Sequence, residues 1–127
     1  MNLEKVAFAF FIVFAATLNF GFFIGNIDTP EHHNIYELFA AIVVNLIATV
    51  LKFGDRTQIG AVHLSTSLVA DFQLIAAAVL WAVAVHITGT GMTVETTASV
   101  VSLSGGALMA NIISVTILIV ETVMMRR

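Results

Sequence analysis

Four long apolar stretches alternate with three short polar interruptions along the chain. The first runs from Leu3 to Ile24 with Glu4 and Lys5 as its charged residues, enough residues to cross a hydrocarbon core of about 30 Å with some tilt. Gly25 suits the left-handed position that closes a helix. Thr29-Pro30-Glu31 then reads as an N-cap, a proline in the first turn and an acid at the positive helix end. That predicts a second helix over 30–53, ended by Gly54. Asp55, with Gln58 three residues on, has capping-box spacing and opens a third helix over 56–88. The loop Gly89-Thr90-Gly91-Met92 separates it from a fourth over 94–125, capped by Thr93. The expected class is all-α: a polytopic membrane protein whose single membrane domain, residues 1–127, holds four transmembrane helices in a bundle.

Composition supports this class. Hydrophobic residues make up 59% of the chain and charged residues 10%, against roughly 45–50% and 25% in soluble domains. Little polar chain is left to bind nucleic acid, and none is expected as a partner. The five Lys and Arg residues are Lys5, Lys52, Arg56, Arg126 and Arg127. An even number of crossings puts all of them on one side, and short Lys- and Arg-rich segments stay cytoplasmic. Both termini are therefore expected inside. The first run carries no small-residue cleavage site and reads as a retained span rather than a leader.

Small residues at helix interfaces allow backbones to approach in lipid, where apolar surface alone gives little association. Ala98, Ser102, Gly106, Ala110 and Ser114 recur every fourth residue of helix 4, and Gly21 and Gly25 repeat that spacing on helix 1. These rows serve either packing within one protomer or a seam between copies, and self-association is expected. Helix 1 is ringed by phenylalanines with no polar stripe, so it reads as peripheral, with Asn19 needing a partner.

Asp71 stands inside the third apolar run, where a carboxylate costs roughly 2.5–3.5 kcal/mol on insertion scales and so faces protein or water. Ser67 and His63 lie one and two turns before it on the same face, while Asn45 and Asn111 fall at comparable depth on helices 2 and 4. The set reads as an ion or proton pathway, with simple interhelical hydrogen bonding as the alternative for each member. Asp28, Glu31, Glu37 and Glu95 lie on the outer side without basic neighbours, as an acidic vestibule for monovalent or divalent cations or as caps left there by topology. Lys52 and Glu121 sit at cytoplasmic helix ends and can pair. His32 and His33 are adjacent and point apart on a helix, so no metal centre is expected. With no Cys, no nucleophile–base pair and no phosphate loop, neither enzyme activity nor a cofactor is expected.

The segment Phe39-Ala-Ala-Ile-Val-Val-Asn45 through Phe53-Gly-Asp-Arg56-Thr-Gln-Ile-Gly60 resembles small four-span bacterial proteins of unknown function. That resemblance implies a bacterial inner membrane and no particular activity. The chain reads first as a homo-oligomeric cation channel or permeation pathway. The alternatives are an accessory subunit of a larger membrane complex and a small proton-coupled transporter.

Overall fold

The computed structural model describes residues 3–26 and 29–125, and within them every regular element is helical. Four helices, α1 (Leu3–Phe23), α2 (Ile35–Lys52), α3 (Gln58–Ala82) and α4 (Val94–Met125), form a bundle. Each packs against two others, in the cyclic order α1–α2–α3–α4–α1. All four are long and apolar enough to cross a membrane. Lys5 of α1 lies 3.5 Å from Glu121 of α4, so the outer ends of the first and last helices meet. Glu4 and Lys5 also share a surface depression with Lys52, Asp55 and Arg56, which puts the α2–α3 turn at that same end. We call it the terminal end, and the opposite one the loop end.

Helix α1 is a full member of the bundle rather than a peripheral strut. Phe8, Ile12, Ala15, Asn19 and Phe22 are buried at spacings of three and four, a stripe hidden from the sequence because Phe also covers the other faces. Bulky apolar side chains such as Phe10, Phe14, Val43, Phe72, Val79 and Ile112 coat the outside, where lipid replaces water. The interior divides along its length. The loop-end half is apolar, built on Phe22, Leu38, Leu74, Ala77, Val100 and Val101. At the terminal end only Phe8, Ile12 and Ala48 form such a cluster, and the remaining buried positions there are largely polar.

The turns depart from the sequence pattern in three places. Pro30–His32 is an isolated 3-10 turn, and α2 starts later, with Asn34 Oδ1 accepting the Tyr36 N–H at 2.9 Å. The segment is held off helix because both histidines bind the end of α1. The Asn26 N–H donates to His32 Nδ1 at 2.9 Å, and His33 Nε2 and Nδ1 meet the carbonyls of Asn26, at 2.7 Å, and Phe22. At the terminal end Thr57, not Asp55, caps α3 by accepting the Gly60 N–H at 2.9 Å. Asp55 instead accepts from the Thr57 N–H and hydroxyl, a local turn that holds its carboxyl below the ordinary carboxylate range. Past Ala82 the third helix widens into a π-helical turn, Val83–Ile87. The Ala84 carbonyl there is taken by the Gly91 N–H at 2.8 Å.

The small-residue row of α4 does not form one face. Steps of four residues advance about 40° beyond a full turn, so the row winds round the helix. Ala110 and Ser114 are buried, Ala98 and Gly106 half-buried and Ser102 exposed. Gly106 sits against the Gln73 amide of α3, and Gly21 against the Glu37 carboxylate of α2. Gly25, at φ +112°, lies over His32, so its role is to end α1.

Candidate functional site

Asp71 is buried where α3 meets α2. Asn45 Nδ2 donates to Asp71 Oδ1 at 2.6 Å and, with its second hydrogen, to the Ser67 carbonyl at 3.1 Å. Thr49, one turn after Asn45, places Oγ1 2.6 Å from Asp71 Oδ2 and 2.9 Å from the Asn45 carbonyl oxygen. A hydroxyl has one hydrogen. It cannot serve both oxygens, so if Thr49 donates to its own helix, as membrane threonines commonly do, the carboxyl supplies the other hydrogen bond as a neutral acid. An ionised Asp71 would instead claim the Thr49 hydrogen and release the Asn45 carbonyl. The cluster therefore has two hydrogen-bond states that differ by one proton.

A polar column leads from this cluster to the terminal end. His63 is fully buried two turns along α3, its Nδ1 2.7 Å from Ser114 Oγ of α4 and its ring edge-on to Phe8 at 4.9 Å. Its Nε2 faces Glu121 Oε1 at 4.0 Å, too long for a hydrogen bond. Glu121 is partly exposed and paired with Lys5. Lys52 does not pair with Glu121. It contacts Asp55 at 3.4 Å and lies 4.3 Å above the Phe8 ring. His63 meets Ser114 and Gln73 meets Gly106. On antiparallel helices that register sets Ser67 opposite Asn111, between His63 and Asp71.

Polar atoms with no protein partner accumulate in this stretch: His63 Nε2, Ser67 Oγ, both side-chain polar atoms of Asn111, and Asn45 Oδ1. Buried polar atoms are nearly always hydrogen-bonded to protein or ordered water, at a penalty of about 1–3 kcal/mol when they are not. Each of these atoms retains capacity for a further hydrogen bond. Asn19 on α1 is buried and unpartnered in the same way. Toward the loop end Leu74, Ala77, Val100 and Val101 fill the axis, and the buried polar atoms without a protein partner there include Gln73 Oε1 and Thr97 Oγ1.

Of the residues read from the sequence as a pathway, Asp71, Asn45 and Ser67 come together directly, while His63 and Asn111 continue from them. Thr49, Ser114 and Glu121 complete the column, and the sequence assigned none of them to it. Thr49 has a sequence signal: it stands four residues after Asn45, on the same helix face. The described acids of the expected vestibule, Glu31, Glu37 and Glu95, lie in separate surroundings. Glu37 packs over Gly21 between α1 and α2, Glu95 borders a cleft between α3 and α4 with Thr96 and Ser99, and Glu31 is exposed. Asp28, Arg126 and Arg127 lie outside the described residues. Among the described residues no cluster of His, Asp and Glu could hold a metal ion.

Four helices long and apolar enough to span a membrane, with an apolar exterior and buried polar groups between them, mark a membrane protein. Residues 32–122 match DUF6394, a family of unknown function, and the chain belongs to that family. No curated protein and no solved structure gives a significant match.

Proposed function

We propose that the protein moves protons, and that the cation pathway runs inside each four-helix protomer rather than along an axis between copies. The observation carrying this reading is the row of polar groups Glu121, His63 with Ser114, Ser67, Asn111, and Asp71 with Asn45 and Thr49, whose gaps are bordered by polar atoms without a protein partner. Hydrogen-bonded side chains and water carry protons through spaces too narrow for a hydrated metal cation. The terminal end is the cytoplasmic side in this proposal, since Lys5, Lys52 and Arg56 gather there. The membrane is then a bacterial inner membrane. The arrangement is open toward that side and closed by the apolar loop-end half. It favours gated proton movement, in which the closed half must rearrange, over a continuously open channel.

The test is proton uptake into liposomes holding purified protein, with potassium flux measured in parallel. Proton flux without potassium flux is expected, and His63→Leu should reduce it at least tenfold. Equal proton and potassium currents, or unchanged proton flux in His63→Leu, would overturn the proposal. Self-association is a second part of the reading, supported by the exposed outer section of the α4 row at Ser102 with half-buried Ala98 beside it. Ser102→Leu is expected to shift the detergent-solubilised protein toward monomer, and an unchanged mass distribution would remove this seam.

A further inference from the structure

A cavity of about 210 Å³ opens near the loop end, above the apolar core. Phe22, His33, Trp81, Met92, Thr97 and Val101 supply most of its wall. We infer that this cavity is a binding site for a small neutral aromatic molecule carrying one hydroxyl, of the size of a benzyl alcohol or a phenol, held by Thr97.

Thr97 provides the first support. It is fully buried, yet its Oγ1 has no partner, and it lines the cavity. Five other hydroxyls on these helices behave differently. Thr17, Thr66, Ser104, Thr116 and Thr122 all donate back to a main-chain carbonyl three or four residues earlier, the default for hydroxyls in apolar helices. Thr97 alone among these buried or membrane-embedded hydroxyls both borders a cavity and keeps its hydrogen-bonding capacity unused within the protein.

The remaining wall defines the ligand class. Phe22, Trp81 and Met92 offer aromatic faces and a polarisable thioether, which favour a ring. Trp81 is held in place by edge contacts to Phe39, at 5.6 Å, and His86, at 5.4 Å. Among the described residues no Asp, Glu, Lys or Arg lines the cavity, and the His33 ring nitrogens are directed at the backbone carbonyls of Phe22 and Asn26. Among the described lining residues a cationic ligand would find no acid to pair with. Size points the same way, because an apolar protein cavity of about 150 Å³ holds benzene. A single ring with one polar substituent fits the larger volume.

Trp81 is the chain's one tryptophan and lies in the cavity wall, so its emission reports on this site. Detergent-solubilised native protein is titrated with benzyl alcohol and with toluene, exciting where neither ligand absorbs. Saturable changes in emission are expected for both. Thr97→Val should weaken benzyl alcohol binding about fivefold, the scale of one hydrogen bond, and leave toluene binding unchanged. Thr97→Ser, which keeps the hydroxyl, should retain native affinity. A response that rises linearly without saturating in the native protein (partition into detergent only) overturns the inference. So does equal benzyl alcohol affinity in native protein and Thr97→Val.

Discussion

Replacing Asp71 with asparagine separates the structural role of this side chain from its proposed role in proton movement. If the carboxyl is neutral in the structure described, an amide reproduces its bonding pattern. Its oxygen accepts from Asn45 Nδ2, and its N–H reaches Thr49 Oγ1, which goes on donating to the Asn45 carbonyl. All contacts survive, and the stability change should stay within about 1 kcal/mol, near the typical worth of one interhelical hydrogen bond in a membrane protein. An ionised carboxylate gives a different result. Two charge-assisted bonds of roughly 1.5–3 kcal/mol each would be exchanged for neutral ones, for a loss of about 2 kcal/mol or more. Unfolding of the purified protein by a denaturing detergent reports stability, and a pH-sensitive dye inside liposomes reports flux. The expected pair of results is near-native stability with proton flux lost, because the amide cannot release a proton in this range. Native flux in Asp71→Asn refutes the pathway. Strong destabilisation refutes the neutral-acid arrangement while leaving the pathway to the His63→Leu measurement.

Two further outcomes concern the turns. The Asp55 carboxyl is held below its ordinary value of 3.8, first by the Thr57 hydroxyl and then by the Thr57 N–H. Its contribution to the α2–α3 turn is therefore fully present above about pH 4 and falls away as the pH drops through the lower folded-state value. Native protein should lose stability over that acidic interval while Asp55→Asn does not, and parallel unfolding curves for the two would contradict this assignment. Gly25→Ala forces a side chain onto a φ of +112° with its Cβ 2.6 Å from His32 Cβ, and should cost about 1–3 kcal/mol. Gly54→Ala has nothing within 4 Å and should be near neutral, so equal effects at the two glycines would show that α1 does not end as described.

The four helices were legible because an apolar run of bilayer length has few other physical outcomes. Their ends were less so. Thr29-Pro30 has the local chemistry of a helix start, but bonds from His32 and His33 to the end of α1 compete with it, and those long-range partners leave no periodic mark. The site was half legible. Asp71 was conspicuous because a carboxylate in apolar surroundings needs a reason, and His63 and Ser67 follow from helical spacing. The partners across helices depend on how each helix is rotated about its axis. Composition does not fix that rotation when, as in α1, every face is hydrophobic. Thr49 was overlooked because one threonine in a valine-rich helix is commonplace, and Glu121 because an acid at a helix end has an ordinary structural explanation. The α4 row shows the complementary error: a strict period of four looks like a face in the sequence and is a shallow spiral on the helix.

The division between a polar terminal-end half and an apolar loop-end half also governs how an electric field is distributed through the protein. In the proposed pathway, a voltage across the membrane would fall mainly over the least polarisable layer, the one between Asp71 and the loop end. Moving one elementary charge through the full drop changes its energy by about 2.3 kcal/mol per 100 mV. Loading Asp71 through the Glu121–His63 column would cross little of that drop, whereas passing a proton onward would cross most of it. Energisation of the membrane would then act on the rearrangement of the closed half, leaving the intake step nearly indifferent to voltage.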